Sequence, residues 1–109
     1  MKGRFLVVTT TQNETFYLPD DRLLRIQAIP GEDTVVAGSR QPPRKLPKVV
    51  LHFEGDFSVI LALLPGTKPS DAVDHLYERL ADEEDQDRVY VRSNENNVQN
   101  ITVQKGAAL

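Results

Sequence analysis

Cysteine is absent from the 109 residues. That excludes disulfides, thiolate metal sites, iron–sulfur clusters and cysteine nucleophiles together. Long hydrophobic runs are absent too: no stretch approaches the ~18 apolar residues that a membrane-spanning helix needs. The short apolar run Phe5-Leu6-Val7-Val8 after Met1-Lys2-Gly3-Arg4 is also too short for a signal peptide. The expectation is a protein of the cytoplasm or of a virion, with no membrane partner. Glycine is sparse and isolated at Gly31, Gly38, Gly55 and Gly66, and neither GxGxxG nor GxxxxGK[ST] occurs, so no familiar phosphate cradle is present. Histidine is limited to His52 and His75, which form neither an HxxxH pair nor part of a catalytic triad. No excess of one charge dominates, since 13 Lys+Arg against 16 Asp+Glu give a net charge of −3, and a mildly acidic chain opposes a dedicated nucleic-acid binder.

What is there fits one domain, residues 1–109, with a modest core drawn from a 39% hydrophobic composition. Arg4-Phe5-Leu6-Val7-Val8-Thr9-Thr10 is apolar on both faces, as in a strand covered on two sides. Gln12-Asn13-Glu14 turns it into Thr15-Phe16-Tyr17-Leu18, and Pro19-Asp20-Asp21 breaks that second run. Leu24, Ile26 and Ala28 then alternate with Arg25, Gln27 and Ile29, predicting one inward face. Thr34-Val35-Val36-Ala37 predicts a further short strand. The apolar runs 49–53 and 57–63 flank Glu54-Gly55-Asp56, a tight-hairpin pattern with glycine where φ must be positive. Val73, Leu76 and Leu80 recur at helical spacing, predicting one amphipathic helix over about 69–81. Pro69 and Asp71 suit its first turn, and Thr67 or Ser70 its cap. Residues 88–92 and 98–103 alternate around an Asn-rich turn and predict a second hairpin.

One late helix among strands predicts an α+β, β-rich fold, a mostly antiparallel curled sheet or half-barrel. A single helix covers only one sheet face, so strands apolar on both faces need a second cover, from closure of the sheet or from another subunit.

Two charged segments stand out. The acidic loop 82–87 lacks the glycine and glutamate spacing of an EF-hand calcium loop and is expected to be solvated. The segment 38–48 carries Arg40, Arg44, Lys45 and Lys48 with Pro42, Pro43 and Pro47 and no acid, which predicts an exposed, extended arm. Such an arm is a solvated loop, a docking element for protein, or, less readily, a phosphate contact, because it has no aromatic residue to stack a base. A basic arm and an acidic loop on one chain also allow head-to-tail contacts between copies.

The order of elements resembles small accessory proteins of tailed-phage virions. It is carried by an apolar strand with a Thr-rich end at 5–11, Pro19, a strand at 23–29, a Val-rich hairpin, a helix at 71–80 and a closing strand at 100–103. The resemblance implies a decoration or assembly component that acts through protein contacts, by self-association or within a larger assembly, and it assigns no site residues. With no acid–base or nucleophile set, neither enzymatic activity nor a cofactor is expected. The alternative is a small regulatory domain that binds a host protein or nucleic acid through the basic arm.

Overall fold

A computed structural model of the chain describes residues 4–31, 46–82, 87–93 and 97–105. The elements run β1 (Phe5–Thr9), β2 (Thr15–Pro19), a 3-10 turn (Asp20–Arg22), β3 (Leu23–Ile29), β4 (Lys48–Phe53), β5 (Phe57–Leu63), α1 (Pro69–Asp82), β6 (Arg88–Val91) and β7 (Val98–Lys105). The fold is α+β and strand-rich, with two open, mostly antiparallel sheets. One sheet has the order β2-β1-β6 and the other β3-β4-β5-β7.

The hairpin joining β4 to β5 forms as the sequence predicts. Gly55 takes φ 84° and Asp56 φ 56°, and Phe53 pairs with Phe57 across the turn. Glycine meets that φ without the Cβ clash that other residues carry. Val49, Leu51 and Phe53 of β4 and Val59, Leu61 and Leu63 of β5 all point inward and are buried.

The helix spans one residue more than expected. Pro69 is its first residue, where a missing amide donor costs nothing, and Ser70 therefore lies inside the helix rather than capping it. Leu76 is buried, and Ala72, Val73 and Leu80 pack on the core at the margin. Arg4 manages the other end. Its Nη1 donates to the Leu80 carbonyl at 2.6 Å and its Nε to Asp20 Oδ2 at 3.0 Å. A cation there complements the helix dipole and satisfies a carbonyl that the helix cannot.

Three expectations are corrected. Strands β6 and β7 do not form a hairpin: β6 runs parallel to β1, with Leu6 opposite Val89, while β7 runs antiparallel to β5, with Leu61 opposite Ile101. Period-two alternation identifies both as strands, but their partners are set by which sheet offers a free edge. The inward alternation of Leu24, Ile26 and Ala28 holds in phase at Ile26 and Ala28 but fails at Leu24. A bulge between Leu23 and Arg25 makes Leu24 the extra residue and leaves it 62% exposed. Leu23 turns to the core in its place, Ile26 packs on the core as expected, and Ala28, opposite Val49, stays exposed on an edge strand. Third, the second cover that β1 needs comes from this chain itself, because Leu6, Val7 and Val8 are all buried within it.

The inner faces of both sheets and α1 share one core, which includes Leu6, Val8, Val89, Val91, Leu51, Val59, Leu63, Ile101 and Leu76. Phe16 of β2 meets Phe57 at 5.8 Å between ring centroids, tying the sheets at one end. Backbone bonds add a stitch. The Thr11 amide donates to the Ile101 carbonyl at 3.1 Å, and the Ile101 amide donates to Thr11 Oγ1 at 2.8 Å.

Candidate functional site

Strand alternation sorts the three-stranded sheet into two faces. Leu18, Leu6 and Val89 form one inward row, and Phe16, Val8 and Val91 the next. The outward rows follow by the same register: Pro19, Phe5 and Arg88; then Tyr17, Val7 and Tyr90; then Thr9 beside Thr15. Arg92 continues the outward series Arg88, Tyr90 one step past the end of β6.

This outward face is aromatic and cationic. Tyr17 is 54%, Phe5 41% and Tyr90 37% exposed, whereas Val7 between the tyrosines is only 3% exposed. The guanidinium carbon of Arg88 lies 5.6 Å from the Tyr17 ring centroid, so its side chain reaches from β6 across β1 towards β2. That of Arg92 lies 4.7 Å from the Tyr90 ring centroid. Both are cation–π contacts, and they leave each positive charge beside a flat apolar surface. A side-chain hydrogen bond with Tyr90 and the proximity of Tyr17 raise the Arg88 pKa above its ordinary value, and an arginine is cationic at every physiological pH in any case. Among the described residues, no acidic side chain occupies the outward rows; Asp87 adjoins Arg88 at the rim and is exposed, its carbonyl accepting the Phe5 amide at 2.9 Å.

The residues singled out from the sequence lie elsewhere. Arg40, Arg44 and Lys45, with most of the 38–48 arm and the strand expected at 34–37, fall outside the described residues. Lys48 is described and exposed: it is the first residue of β4, on the outward side of the four-stranded sheet, opposite Ala62 and Ile29. It belongs to a strand rather than to an arm. Of the acidic loop, Asp82 closes α1 and Asp87 is exposed, and residues 83–86 fall outside the described residues. His52 is partly exposed, its Nε2 donating to Gln27 Oε1 at 2.9 Å, and burial followed by the nearby Arg25 charge lowers its pKa. His75 is exposed on α1.

Two larger concavities among the described residues lie apart from this face. A cleft of about 640 Å³ lies between the β1–β2 turn and β7, bordered by Thr10, Glu14, Phe16, Val103 and Lys105. A depression of about 450 Å³ lies at the start of α1 beside Lys68, Asp71 and His75. Neither gathers the aromatic and cationic groups that the sheet face does.

Sequence reasoning missed the face because its rings come from three segments, one ring each. A local signal existed in Arg88-Val89-Tyr90-Val91-Arg92, whose alternation puts two arginines and a tyrosine on the side opposite two buried valines. No protein-family model, curated protein or solved structure matches the chain.

Proposed function

We propose that this protein is a non-enzymatic contact protein whose working surface is the outward face of the three-stranded sheet, and that its partner is anionic there. One observation carries this: Arg88 and Arg92 stand over exposed tyrosines on a face whose described rows hold no acid. Arginine and tyrosine are the side chains that contact surfaces favour, because they offer large area, donors and low ordering cost. An accessory component of a larger particle, the setting implied by the phage-virion resemblance, would use such a face to hold a neighbour. The basic arm is the competing surface on the same chain.

Retention on immobilised heparin at low salt tests the reading. The wild-type protein is expected to be retained despite its net charge of −3. Replacing Arg88 and Arg92 with glutamine should bring elution forward without lowering Tm. If the arm variant Arg40→Ser, Arg44→Ser, Lys45→Ser loses retention and the face variant keeps it, the arm is the contact surface and this reading is wrong. A wild-type protein that passes straight through overturns the anionic partner.

A further inference from the structure

We infer that the anionic partner of this face is a single-stranded nucleic acid, an inference that rests on the contact role proposed above. Bases have flat π surfaces and the backbone a regular negative charge, so a single strand is recognised by exposed rings for stacking and cations beside them. The outward rows supply both. Tyr17 and Tyr90 lie one strand to either side of β1, which places their backbones about 10 Å apart, and Phe5 lies two residues from Val7 along β1, about 7 Å. The three rings therefore lie on a platform at spacings over which successive unstacked bases can be laid, with Thr9 and Thr15 at its end. Each guanidinium already sits over a ring, so the charge a phosphate needs is held next to the surface a base needs.

Two features favour this partner over an acidic protein surface. A protein hot spot centres on an apolar pocket that the partner desolvates, but the apolar centre here, Val7, is already closed off by its own neighbours. What remains exposed is ring and guanidinium. The outward rows themselves hold no acid among the described residues: Asp71, Asp74 and Glu78 are on α1 and Glu54 and Asp56 at the β4–β5 turn. Asp87 beside Arg88, and Glu14, Asp20 and Asp21 at the two ends of β2, stand at the rim, Asp20 paired with Arg4. Net negative charge thus coexists with rows whose own charged side chains are Arg88 and Arg92, and it is the charge at contact distance that a strand laid on the rows meets first.

Fluorescence anisotropy with a labelled twelve-nucleotide oligo-dT and the matching oligo-U, at several salt concentrations, is the test. Micromolar binding is expected, with a duplex of equal length bound at least about tenfold more weakly, since paired bases hide their faces. Tyr17→Leu with Tyr90→Leu keeps an apolar cover over Val7 and should weaken the single strand about tenfold or more while leaving heparin retention intact. Tyr17→Phe with Tyr90→Phe keeps the rings and should bind as wild type, which guards against a leucine variant that fails to fold. Arg88→Gln with Arg92→Gln should weaken both ligands and reduce the salt slope by about 1.4, at roughly 0.7 for each phosphate no longer neutralised. If heparin is retained through the face and neither oligonucleotide binds, an acidic protein surface is the partner; the inference fails and the contact role stands. If neither heparin nor oligonucleotide binds, both fall. Equal binding of duplex and single strand, or indifference to the leucine variant of a folded protein, removes stacking and overturns the inference.

Discussion

The two sheets of this protein are alike on the inside and unlike on the outside. Inward, both present valine, leucine, isoleucine and phenylalanine to one core. Outward, the four-stranded sheet carries Gln27, Thr102, Ser58, Gln104 and Asn100 around Val50 and Ile60, a mostly polar, neutral surface with Arg25 and Lys48 at its margin. The three-stranded sheet turns out tyrosine, phenylalanine and arginine instead. Inward residues are constrained by packing, so they say which strands exist. Outward residues are free of that constraint, and the contrast between an aromatic outward face and a polar one is the feature on which the proposed contact role rests.

The variants that break this comparison act on the shared core, and they have the largest effects. Leu76→Ala removes a buried side chain of α1 and should cost about 2–5 kcal/mol. Both sheets should unfold together in urea, because one core serves both. Separate transitions for tyrosine fluorescence and far-UV circular dichroism would show that the sheets are independent.

A smaller loss is expected from Arg4→Met, which keeps the aliphatic stem while removing the bonds to the Leu80 carbonyl and Asp20. About 1–2 kcal/mol is expected from the freed carbonyl and carboxylate, both only partly buried. Measuring the same substitution in an Asp20→Asn background separates the ion pair from the helix end.

The outward faces sharpen the comparison further down the scale. Tyr90→Ala uncovers Val7, whose cross-strand neighbour it is, and should cost about 1 kcal/mol. Thr102→Ala on the other sheet should stay within about 0.5 kcal/mol. Equal costs in thermal melts would mean that the tyrosine contributes no cover to the fold.

How far the sequence speaks follows the same division. Inward periodicity revealed the helix through Val73, Leu76 and Leu80, and the hairpin through Glu54-Gly55-Asp56, because both signals are local. The α+β class followed from them. Local signals do not say that β6 joins β1 rather than β7, since alternation in residues 88–92 and 98–103 is satisfied by either partner. Nor do they show that Leu24 is a bulge residue, which is a property of its register with β4. The face was the least legible part. Phe5, Tyr17 and Tyr90 are distant in sequence, and only the register through Val7 brings them to one surface.

The smallest effect belongs to the outward side of the four-stranded sheet. Burial and Arg25 hold the His52 pKa below its usual 6.5, so the folded state disfavours the protonated ring more than the unfolded chain does. The associated stability is present above about pH 6.5 and is lost as pH falls through the lower, folded value. Wild-type Tm should therefore drop slightly more than that of His52→Gln between pH 7 and 5. Identical pH profiles would show that the histidine titrates as it does in the unfolded chain.

The parallel pairing of β1 with β6 also governs when the aromatic face exists. A ribosome delivers Phe5 and Tyr17 early, but Arg88, Tyr90 and Arg92 emerge only after β3, β4, β5 and α1. Closing a pair so distant along the chain carries the larger loop entropy, and topologies of this kind fold slowly. The platform is thus absent from any nascent or truncated chain that lacks its last quarter, however well its first hairpin forms. If the face binds as proposed, that binding requires β6 to have been made and paired with β1.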